Sequence, residues 1–146
     1  MVMGKFKYFE LTEFLKSEEA LNRRIDNSPT FEIVEHLEEL ISKLLDPMRE
    51  AYGKPLIISS GYRCPKLNQA VGGVSTSAHK IGYAADIKVK DVENLFNFVT
   101  EWVKARGVMF DQIFIETKGS SKWLHVGLKN QNGLQRRMIS RLNIPE

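Results

Sequence analysis

The hydrophobic period of this chain changes at Gly53, and that change constrains the fold more than any other feature. Before it, Phe31, Val34, Leu37, Ile41, Leu44 and Met48 recur at three- and four-residue steps, which places them on one face of a helix. After it, PLIISSG (55–61), AADIKV (84–89), DQIFIE (111–116) and KWLHVGL (122–128) are short runs with alternating apolar residues, the pattern of half-buried strands. Helices first and a small sheet afterwards is the order of an α+β fold.

Local signals divide the chain further. Thr12 precedes EFLKSEEALNRR, read as a first short helix. Ser28 is the expected N-cap of the next, with Pro29 at its first position. Pro47 should kink or restart that helix, with Asp46 as a local cap, and Gly53 should end it. Asp91 caps VENLFNFVTEWVKAR, whose buried side is Leu95, Phe98, Val99, Trp102 and Val103, and Gly107 closes it. The TKGSS turn makes the last two strands a hairpin. The expectation is a small antiparallel sheet with N-terminal helices and one inserted helix, forming a single domain over residues 1–146.

Composition narrows the function classes. With 42% hydrophobic and 27% charged residues, the chain has the make-up of a soluble globule. No apolar run approaches the roughly 20 residues needed to span a bilayer, and Met1-Val2-Met3-Gly4-Lys5 leads into no apolar stretch. Neither membrane insertion nor a secretory leader is expected, so the chain should be cytoplasmic at synthesis. A single cysteine, Cys64, excludes a disulfide framework and a cysteine-rich zinc site, and reads as a small buried side chain. The formal net charge of +3 comes from mixed signs along the chain and implies no specific nucleic acid. Lys129, Arg136, Arg137 and Arg141 form a late basic group, read as solvated surface, with a polyanionic partner as the alternative.

Chemistry enters through the strand faces. Opposite the aliphatic sides lie Ala84, Asp86 and Lys88 in the first strand of interest, Gln112, Phe114 and Glu116 in the second, and Trp123, His125 and Gly127 in the third. Adjacent strands could therefore bring Asp86, Glu116 and His125 together. Gly82 lets the preceding loop turn back, so that His79 converges on Asp86. Two histidines and one carboxylate are a zinc set, which leaves a fourth position for a water made nucleophilic near neutral pH. Glu116 is then the available proton carrier. Taken singly, each residue also has a plainer reading: His79 or His125 as surface, Glu116 as a solvated strand end, and His36 as a structural or exposed helix residue.

Certain stretches go further than pattern. SGYR (60–63) is followed by Leu67-Asn68 and Val71-Gly72-Gly73, then by Ser77-Ala-His79 through Gly82, Ala84 and Asp86, and finally by Trp123-Leu-His125-Val-Gly127. In order and spacing these resemble the zinc D-alanyl-D-alanine carboxypeptidase and phage endolysin-type peptidases, an M15-like family that shares its fold with the hedgehog signalling domain. EFLKSEEA, IDNSPTFEIVEHLEEL and LLDPMREAYGKP resemble the phage-type members, so the likeness covers nearly the whole chain.

The resemblance implies a zinc metallopeptidase acting on peptidoglycan stem peptides, as a carboxypeptidase or an endolysin-like endopeptidase. It implies one zinc per chain, held by His79, Asp86 and His125. Arg63 would hold a substrate carbonyl or terminal carboxylate and stabilise the oxyanion. Ser77 would bind substrate or hold its loop, and Tyr62 would pack. The chain departs from the pattern at the base. Many members carry an acid three residues before the last histidine, or a histidine two before it, where this chain has Lys122 and Trp123. The strand FDQIFIE resembles that of members with a catalytic Glu at its end, which assigns the role to Glu116. A monomer is expected. A phage or prophage origin would explain how a chain without an export signal reaches the cell wall. A non-catalytic zinc-containing binding module and a structural component of a phage particle are the alternatives.

Overall fold

The computed structural model describes residues 6–146, so the N-terminal five, read above as lacking a leader, lie outside the described residues. The N-terminal half is helical. A 3-10 turn, Leu11–Phe14, is followed by α1 (Glu18–Asn22), α2 (Phe31–Leu40) and α3 (Asp46–Tyr52), with a π-helical turn at Ile41–Leu45 joining the last two. The single helix expected after Thr12 is thus two pieces, because the Ser17 hydroxyl accepts from the Ala20 amide and starts a new helix there. The cap of α2 is Thr30, which accepts from the Ile33 amide. Ser28 is not a cap, since both its amide and its hydroxyl donate to Asp26. With the start moved downstream, Phe31 leaves the core stripe and is 60% exposed. Leu37, Leu40, Ile41, Leu44, Leu45 and Met48 carry that stripe and are fully buried. Pro47 lies at the start of α3, where its missing N–H costs least, and the wider π turn precedes it. Gly53 ends α3 in the left-handed conformation at φ +77°.

Five strands follow: β1 (Ile57–Ser60), β2 (Ala84–Lys88), β3 (Gln112–Lys118), β4 (Ser121–Gly127) and β5 (Met138–Asn143). They form one sheet in the order β1-β2-β4-β3-β5. The first four pair antiparallel, with β3 and β4 as the expected hairpin. β5 runs parallel to β3, so the fold is α+β as expected while the sheet is mixed. The inserted helix is also not alone. A short α4 (Pro65–Ala70) and a 3-10 turn, Ala78–Ile81, connect β1 to β2, and α5 (Val92–Arg106) connects β2 to β3. Asp91 accepts from the Asn94 amide at the start of α5, and Gly107 closes the helix. Val92, Leu95, Phe96, Val99 and Val103 are its buried residues, whereas Phe98 and Trp102 pack only at the margin of the core. No described helix is long and apolar enough to cross a membrane.

The helical layer and one face of the sheet enclose the core, with Ala85, Ile87, Ile113, Leu124 and Val126 buried on the strand side. Period-two alternation sends the intervening residues to the opposite face, where Ser60, Asp86, His125, Phe114 and Ser140 stand in register across all five strands. Most of the late basic group is neutralised. Lys129 reaches Glu39, Arg136 forks onto Asp111, and Arg141 forks onto Glu93.

Glu39 fastens the segment after β4 to α2, accepting from Lys129 and Lys43 at 2.8 Å and from the Tyr83 hydroxyl at 2.6 Å. Burial alone would raise its pKa, but those hydrogen bonds bring it from 4.5 down to about 2. A depressed carboxylate contributes stability above its unfolded pKa and loses it as pH falls through the folded one. Glu39 should therefore contribute roughly 1–3 kcal/mol at neutral pH. Denaturant titrations should show that stability draining between pH 4.5 and about 2 in the parent, and a Glu39→Gln variant that is less stable at neutral pH and flatter across that window.

Candidate metal centre

The β2–β4 register sets Asp86 directly opposite His125, leaving Asp86 Oδ1 3.1 Å from His125 Nδ1. His79 arrives from outside the sheet, on the 3-10 turn before β2. Ser77 accepts from the His79 amide to start that turn, and Gly82, at φ +80°, ends it and redirects the chain into β2. His79 Nε2 then lies 3.2 Å from the same Asp86 oxygen. One potential ligand atom from each of His79, Asp86 and His125 falls within a mutual 4.8 Å, and all three residues are buried.

Donor and acceptor roles show what this cluster suits. The Gly61 carbonyl, 2.7 Å from His79 Nδ1, can only accept, so Nδ1 carries the proton. Burial lowers the His79 pKa, and its other ring nitrogen, Nε2, faces the carboxylate oxygen. Gln112 Oε1 similarly lies 3.0 Å from His125 Nε2, which makes that nitrogen the donor and turns Nδ1 toward Asp86. Burial disfavours a charged His125, but the hydrogen bond and charge of Asp86 outweigh it and raise its pKa. Asp86 is itself held far below the usual carboxylate range, its two imidazole neighbours overcoming the effect of burial. The gap among these three atoms therefore attracts positive charge. Two imidazole nitrogens and a carboxylate oxygen converging on one buried point could hold a metal ion.

Other expected residues surround this point. Glu116 shares the face of Phe114 on β3 and accepts from the Trp123 indole N–H at 2.8 Å. Burial raises its pKa, with the Asp86 charge adding to the effect and His125 and Arg63 opposing it. Arg63 is tied in through its amide, which donates to the His79 carbonyl at 3.0 Å. Its guanidinium donates weakly to Ser77 at 3.4 Å, while its buried Nε has no partner. Burial lowers the Arg63 pKa against the charges of Asp86 and Glu116. Ser77 spends its hydroxyl on the His79 amide and on Arg63, which makes it a loop-holding residue in this arrangement. Tyr62 is buried packing. His36 is structural, bonded to the Ile81 carbonyl and stacked on Tyr83. Cys64 is half-buried and caps α4, its sulfur accepting from the Leu67 amide.

A cleft of about 890 Å³ includes the cluster in its lining, together with residues 71–74, 76–78, 130–132 and 142–145. Two contributors escape a reading of the sequence. Alternation puts Gln112 on the correct face but assigns it no task, and the Gly61 carbonyl has no sequence signature. Gly61 is glycine because its chain crosses the 3-10 turn closely: a Cβ there would sit 2.6 Å from Phe14 Cα and run into the Phe14 carbonyl.

Residues 7–127 match the family described as Peptidase M15. No curated protein matches the chain in sequence.

Gly61→Ala should push β1 and the first turn apart and displace the carbonyl that orients His79. A destabilisation of about 1–3 kcal/mol is expected from such overpacking, read as a lower denaturant midpoint. An unchanged midpoint would show that the backbone relaxes freely here.

Proposed function

The chain belongs to the peptidase M15 family, and from that premise we propose that it is a zinc-dependent metallopeptidase hydrolysing peptide bonds in peptidoglycan stem peptides. The observation that carries the reading is the convergence of His79 Nε2, Asp86 Oδ1 and His125 Nδ1 on one buried point. Those three atoms would hold one zinc ion and leave a coordination position open. Bound there, zinc acts as a Lewis acid and lowers the pKa of water enough for attack on a carbonyl near neutral pH.

The protein's own groups do the rest. Glu116, held by Trp123 and raised by burial, is suited to take the proton of the attacking water and deliver it to the leaving amine. The unpartnered Nε of Arg63 leaves that guanidinium free to stabilise the negative charge that develops on the carbonyl oxygen, or to hold a substrate carboxylate. Bond cleavage then yields one new carboxylate and one new amine. The stem-peptide substrate follows from the family resemblance, and the cut is that of a carboxypeptidase or of an endolysin-like endopeptidase.

Mass spectrometry of muropeptides digested with zinc-loaded protein, with a chelator control, should reveal the bond from the mass lost. Glu116→Gln should retain zinc by metal analysis while hydrolysis falls about 10²–10⁴-fold. Full activity in that variant removes Glu116 from the role. Zinc-loaded parent that releases no amine from purified cell wall would instead identify a binding module.

A further inference from the structure

We propose that Gln112 is a positioning residue that selects which nitrogen of His125 faces the metal, a role that rests on the metal reading above. An imidazole can ligate through either nitrogen, and its choice follows from the bond its other nitrogen makes. The two histidines of the cluster use opposite ends. His79 gives Nδ1–H to the Gly61 carbonyl and presents Nε2, whereas His125 gives Nε2–H to Gln112 Oε1 and presents Nδ1. A backbone carbonyl holds the first. The second depends on one side chain.

The strand start that carries it is held firmly. Gln112 pairs with Gly127 of β4 on one side and with Met138 of β5 on the other. Its neighbour Asp111 is buried and clamped: its amide donates to the Gly127 carbonyl, its carbonyl accepts from Met138, and its carboxylate takes both the Arg136 amide and the Arg136 guanidinium. The strand start is thereby locked before the Gln112 side chain projects. Phe114, directly opposite His125 across the β3–β4 pair, stacks against its ring at 5.7 Å and limits its rotation. Gln112 is also neutral, so it fixes the ring without adding a second anion beside Asp86.

The test compares Gln112→Met, of similar length but without an acceptor, with Gln112→Glu, which keeps one. Zinc affinity is measured by competition with a chromophoric chelator, and the His125 Nε2–H proton is followed by NMR in the zinc-loaded protein. We expect Gln112→Met to bind zinc about 10–100-fold more weakly, with the N–H signal lost to solvent exchange. Gln112→Glu should keep the N–H signal and most of the affinity. Parent and Gln112→Met binding zinc equally, with the N–H equally protected, would overturn the positioning role and leave the metal site standing. A parent that does not bind zinc would overturn the metal reading and this proposal with it.

Discussion

The carboxylate of Asp86 sits buried between two imidazoles, and the β2–β4 register keeps it there. A one-residue slip of that pairing would send Asp86 into the aliphatic core and bring Ala85 or Ile87 to the cleft. The register is protected because Ala85 and Ile87 are themselves fully buried against the helical layer. Packing on one face of the sheet therefore secures chemistry on the other. The same logic runs through β3 and β4, where Ile113, Ile115, Leu124 and Val126 anchor the strands that carry Gln112, Glu116 and His125.

His79 is secured differently, by loop devices instead of sheet pairing. Ser77 starts its turn, Gly82 ends it, and the Arg63 amide binds its carbonyl, so the two ends of the β1–β2 connection share one hydrogen-bonded seam. The price is a dependence on close backbone approach at Gly61, where the first turn of the chain supports the loop that orients the histidine. The N-terminal helices thus contribute to the site without lending it a side chain.

Much of this was legible in the sequence because period-two alternation is local and strict. Asp86, His125 and Glu116 stood out as polar residues opposite aliphatic ones, and Gly82 marked the turn that brings His79 in. What escaped depended on distant partners. β5 is mostly exposed and pairs in parallel with a strand whose hairpin partner intervenes in sequence, so MISRLN offers almost no apolar pattern. α2 starts two residues beyond the position cap propensity indicates because Asp26 competes for Ser28, a contest settled by local hydrogen bonds. The Gly61 carbonyl and the Gln112 amide acquire their roles only once the strands are assembled.

The matched family region ends at residue 127, the last of β4, while β5 lies beyond it. In a four-stranded sheet β3 would be the rim, with unpaired amides and carbonyls beside Gln112 and Glu116, open to pairing with another chain. β5 moves that exposure outward to a strand bearing Ser140, Arg141 and Asn143. The last stretch of the chain thus serves as a selvage, keeping the strand that lines the cleft from unravelling or being stitched to a neighbour.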